Sequence, residues 1–159
     1  MEVLDDLTEN SNPKYAGFWI RFVAYLLDGI ILSVIIGPIF FIFFAPAAGF
    51  ASFADDPEAI MVFAAGMSGF VMIELIVYLL YFAGMESSKY QATLGKMAIG
   101  VIVIDENGNR ISFGRGVGRL LSKILSAMIL YIGFIMAGFD SRKQALHDKI
   151  ASTFVVYKD

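Results

Sequence analysis

The sequence predicts an α-helical membrane protein with two full transmembrane helices, a third broken or re-entrant, partly interfacial helical segment, and a small cytoplasmic β-sheet. Three observations predict it. The 159 residues are 58% hydrophobic and 17% charged, with a mean hydropathy of +0.71, whereas soluble domains average about 45–50% apolar and 25% charged. Two stretches, 18–44 and 60–83, stay apolar for longer than the roughly 20 residues that cross about 30 Å of hydrocarbon. Two β-branched runs, 98–105 and 152–157, lie outside those stretches.

Residues 1–14 form a polar, acidic tail with Glu2, Asp5, Asp6 and Glu9 where a signal peptide would be basic. The first apolar segment is therefore expected to stay in the mature protein. The membrane domain runs from 15 to 159. Its first helix, 18–44, opens with Trp19 as an interfacial anchor and contains Pro38, expected to kink its outer third. An outer loop, 45–59, has no Lys or Arg. In the second helix, Ala65 and Gly69 lie four apart, a spacing that lets another helix approach closely.

The run 98–105 ends in Glu106-Asn107-Gly108-Asn109, and 110–113 resumes an alternating pattern, so a hairpin is expected over 98–113. The strand at 152–157 should pair with its first arm. Between them, 114–139 is amphipathic in its first half, with Arg115, Arg119 and Lys123 at spacing four, and apolar in its second. A full span here would export Arg142, Lys143 and Lys149 and part the two β runs. The segment is therefore expected to dip in and return, turning at Gly133. Basic residues avoid the outer loop, so the expected location is the inner membrane with both termini cytoplasmic.

Charges inside the apolar stretches are the candidate functional residues. Asp28 lies about ten residues into the first helix, about 15 Å along it and so near the bilayer midplane, where a carboxylate must be protonated, paired or wet. Glu74 lies at a matching depth on the second helix, so the two carboxylates could share a proton or a cation. Arg21 is two turns from Asp28 on one face, with Tyr25 between them as a possible bridge. Its expected partners are tail carboxylates, Asp140 or Asp148. His147 beside Asp148 is read as a structural contact. Gly95-Lys96 lacks the glycine spacing and hydroxyl of a phosphate loop.

Several function classes fall away. The chain has no cysteine, which excludes disulfide, thiol and cysteine-metal chemistry, and its net charge of −3 argues against a nucleic-acid partner. No cofactor, metal site or enzymatic activity is expected. The expected partners are the lipid bilayer, a small cation or proton, and further copies of the chain, since so few spans enclose little.

Three blocks, YAGFWIRFVAYLLD at 15–28, TLGKMAIGVIVIDENGNRIS at 93–112 and FDSRKQALHDKIASTFVVY at 139–157, together resemble the RDD family of membrane proteins. The family is named for an arginine, an aspartate and a further aspartate. Arg21 and Asp28 match the first two, with Asp148 or Asp140 the third; Glu74 matches no family motif. The resemblance implies transport of unidentified ligands, with some members similar to sodium–proton antiporters. Two readings follow. The first is a small-ion or proton-coupled carrier using intramembrane carboxylates. The second is a non-transporting accessory or scaffold protein whose buried charges lock helix packing. A polar cavity around Asp28 would favour the first, and a dry, fully paired network the second.

Overall fold

A computed structural model describes residues 13–44, 55–129 and 132–158. Most of the acidic tail and most of the outer loop, residues 1–12 and 45–54, lie outside the described residues. Helix α1, Phe18–Phe44, has the expected bounds and runs through Pro38. Helix α2, Pro57–Leu79, starts three residues earlier than predicted. Asp56 caps it by accepting the Glu58 N–H at 2.9 Å, and Pro57 occupies the first turn, where no N–H is needed. It continues as a π-helical turn over Leu80–Gly84. The apolar spans Phe18–Ile42 and Pro57–Gly84 contain 25 and 28 residues. At about 1.5 Å per residue each is longer than the roughly 30 Å of hydrocarbon.

After the second span the chain makes a short helix α3, Leu94–Ala98, then strand β1, Val101–Asp105. Strand β2, Thr153–Tyr157, pairs antiparallel with β1 from Val101↔Tyr157 to Asp105↔Thr153, as the β-branched runs predicted. The hairpin over 98–113 does not form. The Asn-Gly turn closes, with Gly108 N–H on Asp105 O at 3.1 Å and Asp105 N–H on Asn109 O at 2.9 Å. Then Ser112 accepts the Arg115 N–H at 3.2 Å and starts helix α4, Phe113–Met128. The N-cap ends the second arm before it can extend.

One face of the sheet buries Ala16, Val101, Val103, Ile111 and Val155, with Ile20 of α1 packed against them. Both edges are covered. Tyr15 bridges to Val156 beside β2, and the Val103 N–H of β1 donates to Gln91 O at 2.7 Å.

The third segment is broken, as expected. Helix α5, Ile132–Phe139, lies at 101° to α4. The break falls between Met128 and Ile132, just before Gly133 rather than at it. A Cβ on Gly133 would meet the Ser126 side chain at 2.8 Å. The glycine is thus where α5 folds back closely on α4. Helix α6, Leu146–Ile150, then leads into β2.

Candidate functional site: two buried polar networks

The first network surrounds Asp28, which is 1% exposed. It does not stand bare in hydrocarbon, because the Thr93–Lys96 segment rises against α1. Its Oδ1 accepts from the Tyr81 hydroxyl and the Gly95 N–H, each at 2.6 Å, and its Oδ2 accepts from Thr93 Oγ1 at 2.6 Å. The Tyr81 hydroxyl in turn accepts the Leu94 N–H at 3.2 Å. Asp28 therefore caps the start of α3 from a different helix, and its charge is dispersed over three donors. Gly95 makes this approach possible: a Cβ there would lie 2.2 Å from the Ala24 carbonyl oxygen.

The second network joins α1, the end of α2, α3, α4 and α6. Glu86 is reached at 2.5 Å by Lys96 Nζ on Oε1 and at 2.6 Å by Arg119 on Oε2. Arg119 also grips Asp148 Oδ1 through Nε at 2.9 Å and NH2 at 2.5 Å. Asp148 Oδ2 takes Arg21 NH1 and, at 3.1 Å, the Ala145 N–H. Arg21 completes its donors on the Ala16 carbonyl at 2.8 Å and the Lys143 carbonyl at 2.6 Å. Among the described residues no buried side-chain nitrogen or oxygen lacks a partner.

Burial alone would push both carboxyls up, but their cations outweigh it. Arg119, then Lys96 and Lys123, hold Glu86 below the usual carboxylate range, and Arg119 with Arg21 does so for Asp148. Burial pulls the Lys96 ammonium down to about 7, against the attraction of Glu86.

The predicted site residues divide clearly. Arg21 pairs with a tail carboxylate as expected, and it is Asp148. Asp140 instead salt-bridges Lys149 at 2.5 Å and accepts the Arg142 and Gln144 N–H groups in its own loop. Asp28 and Glu74 do not meet: Asp28 is filled by residues 81–95, while Glu74 is exposed on α2. Matching their depths did not fix which face of α2 carries Glu74, and that face is an exposed one. Tyr25 is 57% exposed and bridges neither Arg21 nor Asp28. Ala65 and Gly69 are exposed too, so their close approach is not used inside the chain. Glu86, Arg119, Thr93 and Tyr81 were missed.

His147 is the structural contact expected. It is buried, 3.5 Å from Ser126 Oγ and from Asp148 Oδ1, with Phe134 against its ring. Burial first, then the neighbouring cations, pushes it down to about 3 despite Asp148. The unfolded chain binds this proton below about pH 6.5 and the folded chain does not, so stability falls as pH drops from 6.5 towards 3. At pH 5 the expected loss is about 2 kcal/mol, and His147→Gln should remove it. Detergent melting curves at pH 7.5 and 5.0 decide; equal pH slopes in the two proteins would refute it.

The RDD family model matches residues 15–152. The chain is 43% identical to "Uncharacterized protein YxaI" of Bacillus subtilis over 91% of its length and 99% of the relative's. It is 33% identical to "Uncharacterized membrane protein YteJ" of the same organism, over 91% and 82%. The "Proline-rich antigen" of Mycobacterium leprae is 32% identical over 90% of this chain and 62% of its own. No solved structure matches. With the match spanning Arg21 and Asp28 on α1 and Asp148 on α6, this chain belongs to the RDD family.

Proposed function

We propose that the chain is a non-transporting accessory or scaffold protein of the membrane, whose buried charges fasten the tail and the broken third segment to the two spans. The observation behind this reading is the closure of Asp28 from solvent: it is 1% exposed, and both of its oxygens are engaged by donors of the chain itself. A carboxylate that must bind and release a cation needs a wet approach, which this burial denies it. The covered sheet edges imply that a partner would dock on side-chain faces rather than by adding a strand.

Inner-membrane location with both termini cytoplasmic belongs to the same proposal. It is supported by the absence of Lys and Arg between the spans and by Lys14 and Lys158 meeting at one sheet, through Tyr157 N–H on Lys14 O at 2.9 Å and Lys158 N–H on Gly100 O at 2.8 Å. One observation favours the carrier reading: Lys96, drawn down to about 7 beside Glu86, could exchange a proton near neutrality.

Asp28→Asn separates the two. Asparagine can keep its oxygen towards Tyr81 and Gly95 while its amide donates to Thr93, so the protein should fold. Its bonds lose their charge assistance, and the expected loss is about 1–3 kcal/mol. The scaffold reading expects a lowered melting point, with proton and sodium flux in proteoliposomes at the background of empty vesicles for both proteins. Wild-type flux that Asp28→Asn abolishes would overturn it in favour of the carrier.

A further inference from the structure

The second network is not electrically balanced. Arg21, Lys96, Arg119 and Lys123 face only Glu86 and Asp148, while Asp28 is engaged with its own donors and His147 is neutral near pH 7. Four basic groups therefore face two carboxylates, and with Lys96 drawn down to about 7 the cluster holds an excess of one to two cations near neutral pH. Self-repulsion of that kind in a poorly solvated setting draws in a counter-ion.

Its open end is at Lys123. Arg21 and Arg119 spend their donors on carboxylates and backbone carbonyls, and Lys96 sits on Glu86 Oε1 at 2.5 Å. The same oxygen is 3.8 Å from Lys123 Nζ, beyond hydrogen-bond reach, and no other acceptor of the described residues meets this ammonium. It rests over the Phe82 ring at 4.9 Å, and 19% of the side chain is exposed. The residues flanking it on α4, Leu121, Ile124 and Leu125, are exposed apolar groups. Helix α4 thus turns apolar residues outward, towards lipid, and its cations inward. The Lys123 ammonium keeps hydrogen-bond donors without a described acceptor, beside an apolar surface that lipid would cover.

We propose that Lys123, backed by the cationic excess of this network, binds the phosphate of an anionic phospholipid headgroup. A phosphodiester supplies one negative charge and the acceptor oxygens that the ammonium lacks. Charge attraction at an interhelical basic pocket is a general mode of headgroup recognition. Free phosphate offers the same chemistry, so the test must tell the two sources apart.

The purified full chain in uncharged detergent is melted with added phosphatidylglycerol, phosphatidylcholine or inorganic phosphate. Phosphatidylglycerol should raise the melting point by about 4 °C or more, and phosphatidylcholine should not. A rise with phosphatidylglycerol alone assigns the headgroup. An equal rise with inorganic phosphate keeps the anion site but replaces the lipid with the free ion. Lys123→Gln should fold, since this side chain reaches the surface, and should weaken phosphatidylglycerol binding about five- to tenfold. Lys123→Arg should restore it. Arg115→Gln, at the exposed start of α4, should leave it unchanged. Equal responses to both lipids, a full response in Lys123→Gln, or an equal loss in Arg115→Gln would overturn the site.

Discussion

Replacing Arg119 with methionine is expected to lower the unfolding free energy by about 3–5 kcal/mol, a loss of the size found when one member of a buried ion pair is removed. Arg119 is 1% exposed and is the only described residue whose side chain bonds both Glu86 and Asp148. Methionine fills much of the space but returns no donor. Glu86 would be left with Lys96, and Asp148 with Arg21 and the Ala145 N–H. Arg119→Lys should recover little, because an ammonium cannot fork between two carboxylates as a guanidinium does. Chemical unfolding in mixed micelles gives the number. A change below about 1 kcal/mol would mean that water already screens this pair.

Gly95→Ala should be comparably damaging, at about 3 kcal/mol or more. The new methyl carbon would stand 2.2 Å from the Ala24 carbonyl oxygen and 2.8 Å from the Asp28 carboxyl. Neither α1 backbone nor a carboxylate held by three donors can retreat cheaply, so α3 must lift. Lifting it breaks the Gly95 and Thr93 bonds to Asp28 together. Gly118→Ala on α4 is the matched control, with nothing within 4 Å of the added carbon. There alanine should stabilise by about 0.5–1 kcal/mol through backbone entropy. Equal melting points for the two variants would show that α3 does not seat on α1 as described.

What could be read ahead of the structure follows from the range of each interaction. Helix α1 and the β1–β2 pair rest on local hydropathy and β-branching, and both were legible. The Arg21–Asp148 pair spans 127 residues, yet it was foreseeable. A guanidinium near a membrane needs a carboxylate, and the tail supplies few. Arg119 was seen only as part of a basic face, because spacing by four is equally the mark of a solvated helix. Its burial depends on Glu86 arriving from α2, which no pattern within either helix records. The hairpin failed for the opposite reason: its turn signal is real, but Ser112 is a stronger local instruction. Gly95 looked like a failed phosphate loop when its role is simply to have no side chain.

The wide turn at Leu80–Gly84 sets the angular phase of everything after it. In an uninterrupted α-helix Tyr81 and Glu86, five residues apart, would point about 140° from one another. One extra residue in the turn brings them to about 40°. Without it, Met85 would come round to where Glu86 now meets Arg119 and Lys96. Tyr81 holds the Asp28 network and Glu86 the ionic one, so a single surplus peptide unit is the gearing by which one helix serves both. Winding that turn as regular α-helix at unchanged length would disengage the two networks without altering either set of partners.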